Sequence, residues 1–245
     1  MQAVYERIGI GYIATRRADP RIAAQIAAAL SDCASVVNVG AGSGSYEPAD
    51  RRVVAIEPAL LMIAQRPASA APCVRGRAEA LPLRDGACDG ALSILSLHHW
   101  GDWRAGLDEM RRVGRRVVLL TFDPHRADRF WFTREYLPEA IAADVAVFPT
   151  LEQTAAALPG AVVHIVPIPR DCVDGFYCAY WARPDAYLDA DVRRGMSIFA
   201  RVADGAVARA IARLREDLAC GAWQARHAAL QTSEALDLGY RLVVA

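Results

Sequence analysis

Three glycines at alternate positions, Gly40, Gly42 and Gly44, follow the apolar run Val36 to Val39 in the stretch VVNVGAGSGSYEP. A strand that ends in glycines lets a ligand approach the backbone more closely than any Cβ allows, and it leaves amide groups free to bond that ligand. A second apolar run, Val53 to Ile56, ends on Glu57, seventeen positions beyond Gly40. There a carboxylate can accept hydrogen bonds from both hydroxyls of a ribose. Alone, such an acid also suits the positive end of a helix; beside the glycine loop it points to an adenosine. The spacing G-x-G-x-G leaves Ser45 where a dinucleotide fingerprint has its third glycine, which argues against a pyrophosphate at the loop.

A second set of chemical groups lies in SLHHW, where His98 and His99 follow the apolar run Ala91 to Leu97. A neutral imidazole near pH 7 can take a proton from a phenol, an enol or an ammonium. The plainer alternative is that both histidines shape the turn before Asp102. Aromatic residues gather further on, and Trp131, Phe132, Tyr136, Tyr177, Tyr180 and Trp181 are candidates for a substrate pocket. Pockets are lined mainly by such side chains, although aromatic residues at helical spacing also build cores. Arg126, Arg129 and Arg134 could meet a carboxylate or a phosphate. Six cysteines include no CxxC pair; they read as reduced thiols, and Cys172, Cys178 and Cys220 are the three that could meet in space. No metal site is expected.

Composition removes several classes of chemistry. All 28 basic residues are Arg and there is no Lys, so neither a Schiff-base enzyme nor a P-loop with its phosphate-binding Lys is possible. The acids also number 28, and the balance lacks the positive field of a nucleic-acid binder. No apolar run approaches the roughly 18 residues of a spanning helix, and the N-terminal residues show no signal-peptide apolar core. We therefore expect a cytoplasmic protein, with neither a membrane nor a nucleic acid as partner.

The elements that must position these groups are short. Asp19 and Pro20 read as the N-cap and first residue of a helix carrying Ile22, Ile26 and Leu30. Buried strands are expected at 36–39, 53–56, around Cys73 and Val74, at 91–97 and at 117–121, with helices over 58–66 and 102–113 between them. This alternation predicts a parallel sheet with right-handed crossovers and ligands at the carboxyl ends of its strands. Beyond Asp123 we expect an aromatic helix over 126–143, a capping box at Thr150 and Gln153, a strand over 161–168, a largely helical stretch over 185–221 and a last strand over 239–245.

VVNVGAGSG, VVAIEPALLM, VRGRAEALPLRDGACDGALSILSLHHW and LDEMRRVGRRVVLLTFDP resemble, in order, the motifs of class I S-adenosylmethionine-dependent methyltransferases. The resemblance is to the small-molecule group that includes the ubiquinone and menaquinone C-methyltransferases, and it runs continuously from Val36 to Pro124. It implies an α/β fold: a doubly wound, seven-stranded, mostly parallel Rossmann-like sheet with a helical lid inserted before the last strand. The divisions would be cap helices over 1–35, a cofactor-binding core over 36–170, a substrate lid over 171–232 and the last strand over 233–245.

The resemblance also implies site roles. Gly40, Gly42 and Gly44 would line the methionine half of S-adenosylmethionine, Glu57 would hold the ribose and Met62 would pack on adenine. Arg77, Ala78 and Glu79 would border the base, and Ser96 would join the cofactor site. The segment YERIGIGYIATRR resembles one that closes over the cofactor, with Tyr12 as a wall of the transfer site. Two positions depart from the pattern: Asn38 stands where an acid is usual, and Arg77 replaces the Asp that accepts from adenine, leaving Glu79 as a substitute. The competing expectations are a nicotinamide-dependent reductase on a related sheet and a cofactor-binding module without turnover.

Overall fold

The computed structural model describes residues 15–245, so Tyr5 and Tyr12 lie outside the described residues. Strands β1 (Ser35–Val39), β2 (Arg52–Glu57), β3 (Cys73–Arg75), β4 (Cys88–Ile94) and β5 (Gly114–Phe122) pair in parallel. They form a seven-stranded sheet with β6 (Val162–Ile165) and β9 (Tyr240–Val244), in the order β3-β2-β1-β4-β5-β9-β6. The last strand, β9, is antiparallel to both of its neighbours. The chain leaves β1 outward through β2 and β3, then returns to β4 on the other side of β1. That reversal makes the tips of β1 and β4 the place where such a sheet opens a crevice.

Alternating side chains send each strand to two cores. Val36, Leu92 and Val118 pack with Ile22, Ile26 and Leu30, the buried stripe of helix α1 (Pro20–Ala29) and its C-cap, whereas Val37, Ala91 and Val117 pack with Leu107, Met110 and Val113 of helix α3 (Trp103–Val113). A sheet covered on both faces has mostly apolar strands, which is why the runs read as uninterrupted. Asp19 caps α1 and Asp102 caps α3, each by accepting backbone N–H bonds from the first turn. A short helix, α2 (Leu60–Ala64), follows β2.

Two expected elements are broken by proline. The aromatic helix over 126–143 is instead a 3-10 turn (Pro124–Arg129) followed by helices α4 (Trp131–Glu135) and α5 (Glu139–Val145). Pro138 disfavours a helical residue before it and supplies no N–H to the turn. The strand over 161–168 stops at Ile165, and Pro167 separates it from β7 (Ile168–Pro169). The capping box is present, with Thr150 and Gln153 bonding reciprocally at the start of helix α6 (Leu151–Ala156).

Strand β7 pairs antiparallel with β8 (Ala235–Leu236), so the segment between them is closed at its base. This segment carries helices α7 (Ala190–Arg194), α8 (Asp204–Ala219) and α9 (Ala222–Arg226). Trp181, Tyr187, Met196 and Ile198 of the insert share one apolar cluster with α1 and β5. A buried polar knot ties the insert to the glycine loop: Asp174 accepts from Arg16 Nε at 2.7 Å and from the Tyr46 hydroxyl at 2.9 Å. That hydroxyl in turn accepts the Asp19 amide at 3.2 Å. Tyr46→Phe strands these buried partners and should lower unfolding stability by about 1–3 kcal/mol, read from urea denaturation midpoints at unchanged slope.

Candidate active site

The three glycines are bare for three different reasons. Gly40, at φ +67°, faces the tip of β4, and a Cβ there would fall 1.8 Å from Ser96 Oγ, which already accepts the indole N–H of Trp100 at 2.9 Å. Gly42 has only Met62 Cε within reach of an added Cβ, at 3.4 Å, so its face is open. Gly44, at φ +94°, packs against Ala70, Arg66 and Glu47. Gly40 and Gly42 border the cleft over the tips of β1 and β4, whereas Gly44 is absent from its lining and serves the loop behind it.

Glu57 ends β2, with its side chain almost wholly buried. One carboxylate oxygen accepts the Gly42 amide at 2.9 Å and the other accepts the Ala59 amide at 2.9 Å. Desolvation raises its pKa, opposed by these two backbone bonds and by Arg66. Each oxygen keeps acceptor capacity, and the residue lines the cleft.

Asn38 explains its own departure from the usual acid. Its amide donates to Glu47 Oε1 at 3.1 Å, and Glu47 forms an ion pair at 2.7 Å with Arg66, both nearly buried. A carboxylate at position 38 would face Glu47 with like charge. The remaining Asn38 Oδ1 is buried at the cleft and has no partner among the described residues. Neither Glu47 nor Arg66 was anticipated; the only signal was the Asn itself.

The cleft is about 270 Å³ and continues past Met62, Arg77, Ala78, Glu79, Ser96 and His99. Glu79 accepts the Gly101 amide at 2.6 Å and an Arg77 Nε–H at 3.3 Å. Desolvation, the largest influence, works against its ionised form, yet the hydrogen bonds it accepts hold its pKa below the ordinary value. A cleft whose spare acceptors are Asn38 Oδ1 and the Glu57 carboxylate suits a ligand rich in N–H and O–H donors. An ammonium and two ribose hydroxyls fit that description. Among the described residues no cluster of His, Cys, Asp and Glu could hold a metal.

The two histidines part company. His99 lines the cleft, while His98 lines a second, smaller chamber of about 60 Å³. Leu95 and Arg16 border both spaces. His98 stacks on Phe148 with ring centres 4.0 Å apart, and its Nδ1 has no partner. Burial pushes the His98 pKa well below its usual value and that of His99 down to about 3, so both rings are neutral at neutral pH.

Of the expected pocket residues, Tyr177 lines the chamber, together with Phe122, Phe148, Phe176 and Tyr240. The other five do not. Trp131, Phe132, Tyr136 and Trp181 are core residues, with the Trp131 indole donating to the Trp181 carbonyl at 2.8 Å and Phe132 stacked 4.8 Å from Tyr187. Tyr180 lies beneath the Arg183 guanidinium, 4.6 Å from its ring centre. The helical insert must bury an apolar face of its own, and Trp181 of the insert does so against Trp131, Phe132 and Tyr136 of the segment after β5.

Arg126, Arg129 and Arg134 do not converge either, since each pairs with a different acid: Asp123, Asp237 and Glu135. All six cysteines are free, with Cys172 and Cys178 buried and Cys220 exposed. The chamber adds polar residues that were not anticipated, Asp144 and Arg201, joined by an ion pair.

A doubly wound sheet with an acid-bearing second strand and an open glycine loop defines an α/β nucleoside-binding enzyme. The family described as "Methyltransferase domain" matches residues 37–121. The crystal structure of a putative methyltransferase from an antibiotic biosynthesis pathway of Anabaena variabilis ATCC 29413 is 32% identical, with a TM-score of 0.87 over 94% of this chain and 98% of that one. A possible histamine N-methyltransferase from Thermotoga maritima, described as SAM-dependent, shares the fold at 20% identity and TM-score 0.54, over 69% of this chain and 86% of that one. A comparison with curated proteins returned no match.

This chain belongs to the class I S-adenosylmethionine-dependent methyltransferases. It is an enzyme and S-adenosylmethionine is its cofactor, which sets aside the nicotinamide-dependent reductase and the module without turnover.

Two outcomes test the site. Glu57→Gln turns an N–H pair toward one of the backbone amides it now accepts, and should weaken S-adenosylhomocysteine binding about tenfold or more by calorimetry, with the melting temperature recorded alongside. Asp144 is raised from the ordinary 3.8 to about 6 by burial, with Arg201 opposing. The folded state therefore holds its proton more tightly, and stability falls as pH rises through that window. The loss is about 3 kcal/mol at 1.36 kcal/mol per pKa unit. Unfolding free energies of the native chain and Asp144→Asn, compared across the window, should differ by that slope.

Proposed function

We propose that this enzyme methylates a small, planar, largely apolar acceptor held in the chamber beside the cofactor cleft. The observation that carries the reading is the adjacency of the two spaces, which share Leu95 and Arg16 as walls. A chamber of about 60 Å³ is the liquid-phase share of about two waters, and a dry cavity that takes benzene has about 150 Å³, so a ring enters it only in part, with its body in the adjoining cleft. One small ring suits it better than a quinol with an isoprenoid tail, the acceptor that the quinone-methyltransferase resemblance would suggest.

In this reading Glu57 receives the ribose hydroxyls, Asn38 Oδ1 receives the ammonium, and Gly40 and Gly42 border the amino-acid tail. Met62 and Ala78 pack on the base, with Glu79 as the acceptor for its amino group and Arg77 and Ser96 at the margins. When bound, S-adenosylmethionine supplies a methyl already activated on a sulfonium. The protein's own contribution is then alignment of the acceptor and exclusion of water. The aromatic walls do both.

His98 is the proton acceptor for an O–H or N–H nucleophile: it lines the chamber and its Nδ1 has no partner among the described residues, and because burial lowers its pKa it serves an acidic nucleophile best. His99 belongs to the cofactor side. A panel of phenols, amines and enolisable carbonyls, assayed for S-adenosylhomocysteine release, should give turnover with a small cyclic acceptor. On that acceptor His98→Ala should reduce kcat by about 10²–10⁴ while leaving S-adenosylhomocysteine affinity intact. His99→Ala should act chiefly on that affinity. Near-normal turnover of His98→Ala ends the proton-acceptor role.

A further inference from the structure

The chamber holds one cation whose donors are not used up by the protein. Arg201 spends Nη2 on Asp144 Oδ1 at 2.5 Å. Its Nε and Nη1 are buried without a hydrogen-bond partner. Buried guanidinium N–H groups left unpaired are costly, and native structures satisfy them with protein, water or ligand. The guanidinium carbon lies 5.9 Å from the ring centre of Phe148, the same ring on which His98 stacks. A planar molecule between these walls thus meets a cation with spare donors and an imidazole with a spare nitrogen.

Charge on the chamber walls points the same way. Two guanidiniums, Arg16 and Arg201, line the space against one carboxylate, Asp144. Asp174 lies outside the lining but neutralises Arg16 at 2.7 Å, so Arg201, with two buried nitrogens that have no partner among the described residues, is the group left to meet a ligand. Both histidines are neutral. The spare N–H donors of Arg201 consequently favour a ligand that brings acceptor atoms, and an ionised acceptor bonds them most strongly.

We propose that the methyl acceptor carries a carboxylate, which pairs with Arg201 while the nucleophilic atom of the same molecule faces His98. This rests on the reading of the chamber as the acceptor site and narrows it to a small cyclic acid. A hydrogen bond to a charged group contributes about 1.5–3 kcal/mol, a preference of about ten- to a hundredfold for the acid over its uncharged analogue.

The test uses the full chain saturated with S-adenosylhomocysteine and two probes of equal shape, benzoate and benzamide, with binding measured by calorimetry and ligand-observed NMR. Benzoate should bind about tenfold or more tighter than benzamide. Arg201→Gln should abolish the difference, and Arg201→Lys should retain part of it, because a charge remains although the donor geometry changes. Should the single variant not fold with Asp144 buried and unpaired, the double variant Asp144→Asn/Arg201→Gln removes both charges of the pair and carries the same comparison.

Equal binding of the two probes, no benzoate binding, or a preference that survives removal of Arg201 overturns the proposal. Methyl transfer to uncharged rings with carboxylates inert would also overturn it while leaving the acceptor chamber standing. A benzoate preference that depends on Arg201, found together with turnover that is insensitive to every substitution lining the chamber, would sink the chamber as acceptor site and keep the anion site.

Discussion

The structure around the cofactor cleft depends on one buried carboxylate. Glu57 accepts the amide of Gly42 with one oxygen and that of Ala59 with the other, so a single side chain holds the loop after β1 and the turn after β2 in fixed register. Both amides would otherwise need partners in a nearly water-free corner. Burial disfavours the ionised form, and the two backbone donors offset much of that cost. The remaining lone pairs face a cleft, so the group that organises the loop is the one available to a ligand. Preorganisation of this kind spares a ligand the work of ordering the loop.

A second layer holds Glu57 and its loop in place. Arg66 donates to the Gly42 carbonyl at 3.1 Å and pairs with Glu47, which in turn receives Asn38. The negative charge of this loop sits on Glu47, where Arg66 neutralises it. What remains at the cleft is a neutral amide oxygen. The charge balance of the loop is thereby kept within the protein.

The sheet and its cofactor end were legible because their signals are local. An apolar run, a glycine turn and an acid seventeen positions on are short-range patterns, and the fold needs each strand tip where the run ends. Proline broke two elements that hydrophobic pattern alone had joined, at Pro138 and Pro167. The smaller chamber was not legible for a different reason. Phe122, Asp144, Phe148, Tyr177, Arg201 and Tyr240 come from β5, α5, the stretch before α6, the insert and β9, with no spacing to link them. The aromatic run at Trp131 and Phe132 looked like a pocket, but it is the surface on which Trp181 and Tyr187 of the insert pack. Local density of aromatic residues reported the core, and the chamber drew its walls from single residues far apart.

The absence of Lys bears on how this protein places cations in its interior. A buried ammonium tends to shed its proton, whereas a guanidinium stays charged and distributes five donors over several acceptors. Arg66 shows the arrangement that burial demands: its nitrogens reach Glu47, the Gly42 carbonyl and the Ala71 carbonyl. Arg16 lies against Asp174 through Nε and Nη2, and Arg241 reaches Asp237 and the Tyr240 carbonyl. Among the described residues Arg201 differs from these in having two buried nitrogens without partners. Arg183 leaves one buried nitrogen, Nε, without a partner, whereas Arg201 leaves two, and it does so beside the space that adjoins the cleft. The incompleteness is chemically specific: it asks for acceptor atoms, in a chamber that aromatic side chains wall in part.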